Sequence, residues 1–148
     1  MKQAEKFRLV LADDDPDDCE IFNAALEKVS SNFSLDIFHN GKTLMEYLRD
    51  VEELPHLVFL DLNMPLLNGF EALREIRSNE RLRNLSVAIY STSTNEKDIE
   101  ETLVSGANIY IAKPTSFTKL QEVLERILEI NWQYHSARLS KDTYFMTI

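Results

Sequence analysis

The residue types best suited to chemistry in this 148-residue chain are aspartates, a hydroxyl residue and a lysine, each placed directly after a short apolar run. The runs are residues 9–12, 57–60, 87–90 and 109–112, and the residues that follow them are Asp13, Asp14, Asp61, Ser91 and Lys113. Converging carboxylates repel one another unless a cation lies among them, and oxygen ligands select a hard ion such as Mg²⁺. A hydroxyl donor and a lysine charge complete a shell for a phosphate group. The set is suited to phosphoryl transfer onto a carboxylate.

The elements that must position these residues alternate along the chain. The four apolar runs are unbroken, which is typical of strands buried on both faces of a parallel sheet. Residues 34–38 are more mixed and suit an edge strand. Between the runs, residues of N-cap type precede apolar residues at helical spacing, at Asp15, Asn40, Asn68 and Asn95. The clearest helical stripe covers residues 120–128.

This order describes five β-α units, in which right-handed crossovers place helices on both faces of a parallel sheet. In such folds ligands bind outside the carboxyl ends of the strands, so the polar residues above are expected to meet at one edge of the sheet. The aspartates that follow the acidic pair are assigned a different role. We expect Asp15, Asp17 and Asp18 to cap the first helix and complement its dipole.

Composition restricts the class of protein. The length fits one domain, and the net charge of −9 argues against direct nucleic-acid binding, which needs a basic face. The single Cys19 excludes an intramolecular disulfide and a cysteine zinc site. No segment resembles a signal peptide or approaches the roughly 18 apolar residues of a membrane span. These observations predict a cytoplasmic protein.

Over residues 7–130 the sequence resembles the receiver domain of two-component response regulators. The motifs that carry the resemblance are Asp13-Asp14, residues 61–65 with Asn68-Gly69, Ser91, Gly106-Ala107, Tyr110 and Lys113-Pro114. Their spacing also fits, with 30 residues from Asp61 to Ser91 and 22 from Ser91 to Lys113. The resemblance implies an α/β flavodoxin-like fold, a doubly wound (βα)5 arrangement with a five-stranded parallel sheet in the order 2-1-3-4-5.

The resemblance also implies a role for each site residue. Asp61 would accept a phosphoryl group from a phosphohistidine on a sensor histidine kinase or a phosphotransfer protein. Mg²⁺ would be the cofactor, with Asp14, Asp61 and the backbone carbonyl of Asn63 as direct ligands and Asp13 acting mainly through a metal-bound water. Such a phosphoprotein catalyses only its own phosphorylation and dephosphorylation, and is not an enzyme acting on a separate substrate.

The remaining implied roles concern the phosphoryl oxygens and the response to them. Ser91 would hydrogen-bond one oxygen and Lys113 would pair with another. Ser91 and Tyr110 would form the switch that changes the signalling surface; the alternative for Tyr110 is a half-buried sheet aromatic. Ser91 replaces the commoner Thr of the family, and Thr92 stands where a small residue is usual. Thr92 and Ser93 are therefore predicted to modulate the phosphoryl lifetime.

The resemblance is to stand-alone, chemotaxis-regulator-like receivers. Residues 77–93 look most like the receivers associated with phytochrome-type histidine kinases, although Ser86 replaces a Pro usual in that subgroup. Residues 1–130 form the predicted receiver domain, and residues 131–148 a C-terminal extension of it, too short for an output domain. This extension either packs on its own domain or serves as a homodimer contact or partner-docking segment. Signalling is then expected to proceed by protein–protein interaction, without nucleic-acid or membrane binding.

Two alternatives remain open on the sequence alone. One is a pseudo-receiver, a docking module that is never phosphorylated, although the intact acidic pair, Asp61, Ser91 and Lys113 argue against it. The other is a phosphatase with an aspartate nucleophile, of the haloacid-dehalogenase class. That class needs Asp-x-Asp-x-Thr or Asp-x-Asp-x-Val after the first strand, whereas Asp13 through Asp17 supply only the two acids.

Overall fold

The computed structural model describes residues 6–130 and 145–146. Strands and helices alternate over residues 7–129, as the apolar runs and helical stripes predict. The strands are β1 (Phe7–Ala12), β2 (Phe33–Phe38), β3 (Leu57–Leu60), β4 (Val87–Ser91), β5 (Ile109–Ala112) and β6 (Phe145–Met146). The helices are α1 (Pro16–Val29), α2 (Gly41–Asp50), α3 (Gly69–Ser78), α4 (Glu96–Val104) and α5 (Phe117–Glu129).

The sheet is parallel throughout, and its strands lie in the order β2-β1-β3-β4-β5-β6. The predicted order of the first five strands is confirmed. The sixth strand is a difference, since the sequence predicts five. It pairs with β5 through Tyr110 opposite Phe145 and Ile111 opposite Met146. Two residues are too few to show an alternating pattern, so this strand leaves no signal in the sequence.

Each helix begins at a residue whose side chain accepts a backbone N–H from the first turn. Asp15 accepts from Asp17 and Asp18 at the start of α1, where Pro16 occupies the first helical position. Asn68 accepts from Glu71 while the Glu71 carboxylate accepts from the N–H of Asn68, which completes a capping box. Asn40, Asn95 and Ser116 cap the other three helices. These caps fix where each helix leaves the edge of the sheet.

The core has two layers, one on each face of the sheet. Helices α1 and α5 cover one face, where Phe22 packs against Phe59 with ring centroids 4.8 Å apart. Helices α2, α3 and α4 cover the other face through side chains such as Leu44 and Leu73. Burial of each large apolar side chain contributes about 1.5–3 kcal/mol. The two layers hold the strands rigidly, and with them the carboxyl ends that carry the polar residues.

The loop from β3 to α3 returns close to the end of β3. Gly69 lies so near that a Cβ there would overlap the backbone carbonyl of Asp61, and its N–H donates to the carbonyl of Leu62 at 3.0 Å. Earlier in the loop, the N–H of Leu67 donates to the carbonyl of Pro65 at 2.7 Å, and Leu66 between them has a φ of 70°. A side chain at position 69 would therefore displace the backbone of Asp61, and glycine lets the loop return this close to it.

Candidate functional site

The candidate site lies at the carboxyl ends of β1, β3, β4 and β5, and backbone hydrogen bonds continue the sheet into it. The N–H of Asp13 donates to Phe38 and that of Asp61 donates to Ala12, both at 2.9 Å. The N–H of Lys113 donates to the carbonyl of Ser91 at 2.8 Å. The predicted convergence of these strand ends at one edge is thus present in the structure.

Three carboxylates form the centre of this site. Oxygen atoms of Asp13, Asp14 and Asp61 lie within 4.8 Å of one another. Asp13 is fully buried, Asp61 is 6% exposed, and Asp14 is exposed. This donor set consists only of oxygen, and one ligand faces solvent, so it fits a hard divalent cation that retains several waters. The residues predicted as metal ligands from their side chains are therefore together.

Backbone N–H groups orient two of the three carboxylates. Asp13 Oδ1 accepts a hydrogen bond from the N–H of Asp15 at 3.0 Å, and Asp61 Oδ1 accepts one from the N–H of Asn63 at 3.4 Å. The second oxygen of each carboxylate faces Lys113. Asn63 is exposed beside Asp61. The use of its carbonyl as a ligand stays a prediction.

The ammonium of Lys113 lies among the carboxylates. Its Nζ is 2.8 Å from Asp13 Oδ2, 3.1 Å from Asp18 Oδ2 and 3.3 Å from Asp61 Oδ2. Burial lowers the pKa of Lys113, but hydrogen bonding and charge interactions with the carboxylates outweigh burial and raise it overall. The lysine is therefore charged and compensates part of the negative charge at the site.

Asp61 is the carboxylate that burial affects most clearly. Desolvation raises its pKa from an ordinary 3.8 to about 6, and the charge of Asp13 adds to the increase. Lys113 and the N–H of Asn63 act in the opposite direction. At neutral pH Asp61 is mostly ionised, yet its charge is held at a cost in free energy. A cation bound at this position would compensate the charge, and a group covalently attached to the carboxylate would remove it, so either would relieve that cost.

The predicted switch and modulating residues lie on one connected path. Ser91 is fully buried, and its Oγ accepts a hydrogen bond from the N–H of Ser93 at 3.1 Å. The hydroxyl of Tyr110 donates to the carbonyl of Ser93 at 2.8 Å. Tyr110 is fully buried rather than half-buried, and this burial raises its pKa. Thr92 is exposed at the end of β4.

Ser93 is thus in contact with both predicted switch residues. Its hydroxyl donates to Asp98 Oδ2 at 2.8 Å, which ties it to the first turn of α4. A change at Ser91 would reach α4 through Ser93, and it would reach Tyr110 both through Ser93 and through the side-chain interaction between Ser91 and Tyr110. The sequence places Ser93 beside the site without predicting these links, because neither its hydrogen bonds to backbone groups nor its side-chain contact with Asp98 leaves a spacing pattern.

Several neighbours of the site are not predicted from the sequence. Asp15, Asp17 and Asp18 are expected to cap the first helix and complement its dipole. Asp15 is the cap, and Asp17 and Asp18 lie in the first turn, but the carboxylate of Asp18 also contacts Lys113. The Tyr90 ring lies under the Lys113 ammonium, with Nζ 5.3 Å from the ring centroid. Cys19 Sγ and His39 Nδ1 lie 3.6 and 3.0 Å from the carbonyl oxygen of Asp13. The position of Asp18 at the third residue of α1 is the available signal, since that position faces the sheet edge.

The fold and the site define the receiver class of signalling domain, and comparison with known proteins agrees. The family model for the response regulator receiver domain matches residues 9–125, so the chain belongs to that family. Family membership implies phosphorylation-dependent signalling, and several relatives are response regulators. Within residues 6–130, no helix has both the length and the apolar character needed to cross a membrane.

Similar proteins include a probable methanogenesis regulatory protein and a phytochrome response regulator. The probable methanogenesis regulatory protein FilR2 of Methanothrix harundinacea (strain 6Ac) is 31% identical over 133 residues, which cover 87% of this chain and 86% of FilR2. The phosphorylated cyanobacterial phytochrome response regulator RcpA has a TM-score of 0.79 at 30% identity, covering 93% of this chain and 100% of that structure. The Mn²⁺-bound form of response regulator Rcp1 has a TM-score of 0.74 at 26% identity, covering 90% and 99%.

Proposed function

We propose that this receiver domain is a switch that accepts a phosphoryl group on Asp61, using Mg²⁺, and signals by protein–protein interaction. The observation that carries the proposal is the surroundings of Asp61: two further carboxylates within 4.8 Å and the Lys113 ammonium at 3.3 Å. A nucleophilic carboxylate, a cation site and a fixed positive charge are what phosphoryl transfer needs. The donor would be a sensor histidine kinase or a phosphotransfer protein, and the exchange would take place in the cytoplasm.

In the proposed reaction an oxygen of Asp61 attacks the phosphorus of a phosphohistidine. The new O–P bond forms as the P–N bond breaks, and the imidazole leaves with the bonding electrons and takes up a proton. Asp61 reacts as the anion, and a pKa of about 6 leaves most of it ionised at neutral pH. Burial also removes the water that would otherwise shield the nucleophile.

Asp14, Asp61 and the carbonyl of Asn63 would hold the Mg²⁺ directly, and Asp13 would hold it mainly through a metal-bound water. When bound, Mg²⁺ neutralises charge on the equatorial phosphoryl oxygens. The similar protein Rcp1 has a structure in an Mn²⁺-bound form, which supports the binding of a divalent ion by this chain. Lys113 supplies a second positive charge, since its Nζ is already within hydrogen-bond distance of Asp61.

Ser91 and Tyr110 form the proposed switch. The Ser91 hydroxyl accepts from the N–H of Ser93 through its oxygen, and it can at the same time donate its proton to a phosphoryl oxygen. Ser93 also holds the Tyr110 hydroxyl, so it couples the two switch residues. Thr92 is exposed at the mouth of the site and, with Ser93, would set how readily water reaches the acyl phosphate.

The partners of the switch belong to the proposal as well. Residues 1–130 would form the receiver domain, and residues 131–148 its C-terminal extension, with a role in homodimer or partner contacts. The described part of that extension is β6, which lies beside β5 and so beside Tyr110. This position supports an output surface that includes β5.

The test is incubation of the full chain with acetyl phosphate and Mg²⁺, followed by intact mass spectrometry. We expect one phosphoryl adduct on the wild type and on Asp17→Asn, which removes a neighbouring exposed carboxylate. We expect none on Asp61→Asn or in EDTA. An unmodified wild type in the presence of a competent donor would favour the pseudo-receiver. Turnover of a phosphate ester would favour the phosphatase, but Asp15, two residues after Asp13, is committed to capping α1.

A further inference from the structure

The Lys113 ammonium has three carboxylate partners that differ in one respect. Asp13 and Asp61 belong to the cluster suited to a cation, whereas Asp18 does not. An ammonium has three N–H donors, so the three contacts at 2.8, 3.1 and 3.3 Å match its full capacity. A divalent cation bound directly by Asp61, and by Asp13 through a metal-bound water, competes with Lys113 for the oxygens of these two carboxylates. Asp18 is the one partner that this competition leaves in place.

The position of Asp18 is fixed by the start of α1. Its N–H donates to Asp15 Oδ1 at 3.4 Å, so Asp18 is the third residue of a capped first turn. Its side chain is 37% exposed, whereas that of Lys113 is 10% exposed. The carboxylate therefore lies at the rim of the site with the ammonium on its inner side. A partly exposed carboxylate can hold the lysine without the desolvation cost of a buried one.

Tyr90 limits where the ammonium can move. Its ring is buried against Phe22 and lies 5.3 Å from Nζ, at a distance suited to a cation–π contact. Phe22 and Phe59 contact the ring edge-on and hold it in a fixed orientation. The ammonium is thus bounded by the Tyr90 face, by Asp18 and by the two inner carboxylates.

We propose that Asp18 is a positioning residue that retains the Lys113 ammonium beside Asp61 when a divalent cation takes over Asp13 and Asp61. The inference rests on the proposed function. In this arrangement the lysine gives up its two inner contacts, keeps Asp18 and the Tyr90 face, and remains within reach of an arriving phosphoryl oxygen. Without Asp18, the lysine either competes for Asp13 and Asp61 or moves out to solvent.

Asp18→Asn should therefore both weaken Mg²⁺ binding and slow phosphorylation. Lys113 would hold the inner carboxylates more persistently, so Mg²⁺ would bind more weakly. The lysine would also be less available at Asp61, so phosphorylation at saturating Mg²⁺ would be slower. We expect each effect to be about fivefold, the size of one half-exposed charged contact.

The experiment measures Mg²⁺ affinity by calorimetry and the phosphorylation rate by intact mass, on the full chain. The matched control is Asp17→Asn, which removes the same charge from the same helical turn and is exposed. The conservative variant Asp18→Glu keeps a carboxylate and should retain most of the wild-type Mg²⁺ affinity and phosphorylation rate. In a Lys113→Ala background, Asp18→Asn should weaken Mg²⁺ binding no more than Asp17→Asn does, because the competing ammonium is gone.

Equal Mg²⁺ affinities and rates for Asp18→Asn and Asp17→Asn would overturn the role of Asp18 while the switch function stands. The role of Asp18 is also overturned if the effect of Asp18→Asn persists undiminished without Lys113. A wild type that binds Mg²⁺ but accepts no phosphoryl group overturns both proposals. A loss of thermal stability alone, with affinity and rate unchanged, would assign Asp18 to the helix start and refute the inference.

Discussion

Replacement of Asp61 by Asn should stabilise the metal-free protein at neutral pH. The carboxylate is 6% exposed, and its pKa is raised from 3.8 to about 6, chiefly by burial. At about 1.4 kcal/mol for each pKa unit, the free-energy cost of keeping Asp61 ionised in the folded state is at most about 3 kcal/mol. Local relaxation around a buried charge reduces the cost, so we expect Asp61→Asn to increase the free energy of unfolding by about 1–2 kcal/mol. For a chain of this length that corresponds to about 3–6 °C in Tm.

The dependence on pH identifies the cause. A pKa raised in the folded state means that folding favours the protonated form, so the penalty is absent below the unfolded pKa near 3.8. It grows as pH rises from about 4 to about 6 and is constant above that range. The advantage of Asp61→Asn over the wild type should therefore appear between these values and stay level up to pH 8.

The assay is urea or thermal unfolding in EDTA from pH 4 to 8, with wild type, Asp61→Asn and Glu122→Gln. Glu122→Gln is the control for net charge, since it removes one negative charge from an exposed position on α5. Addition of Mg²⁺ should reverse the order, because ligand binding stabilises only a protein that retains the site. If Asp61→Asn is no more stable than the wild type in EDTA at pH 8, the account of Asp61 as a costly buried charge is wrong.

Three other changes test the site and its supports. Lys113→Ala should lower the free energy of unfolding in EDTA by about 2–4 kcal/mol, because buried carboxylates lose their shared cation. Mg²⁺ should restore most of the lost free energy. Urea midpoints that do not respond to Mg²⁺ would contradict this prediction. Gly69→Ala should cost about 1–3 kcal/mol, since its Cβ would meet the Asp61 carbonyl, and it should slow acetyl phosphate labelling; an unchanged urea midpoint would show that the loop adjusts freely. Tyr110→Phe should cost about 1 kcal/mol by leaving the Ser93 carbonyl without its donor; equal unfolding free energies would mean that the bond contributes nothing.

Much of the site could be predicted from the sequence because strand ends are easy to locate. Unbroken apolar runs mark buried parallel strands, and the residue after each run lies at the carboxyl edge of the sheet. That rule alone brings Asp13, Asp61, Ser91 and Lys113 together. In the structure Lys113 Nζ is within hydrogen-bond distance of Asp13 and Asp61, and the N–H of Lys113 donates to the carbonyl of Ser91. The five-strand order follows from the family resemblance.

The missed features depend on three-dimensional proximity that spacing does not encode. Asp18 lies 95 residues from Lys113, and its helix-start position offers a sufficient local explanation of its charge. Tyr90 resembles any core aromatic in a buried strand, and only the sheet face it occupies brings it under the ammonium. The pairing of β6 with β5 uses backbone groups, for which no side-chain pattern is required.

The buried thiol of Cys19 has a practical consequence for studying this protein. It donates to the carbonyl of Asp13, and burial raises its pKa to about 12. At neutral pH only about one molecule in 10⁵ carries the reactive thiolate, so alkylating agents and peroxide should leave Cys19 of the folded chain unmodified. Any labelling at Cys19 would therefore record moments when α1 separates from β1. Cys19, which is adjacent to Asp18 in the sequence, can therefore report chemically on local opening beside the carboxylate site.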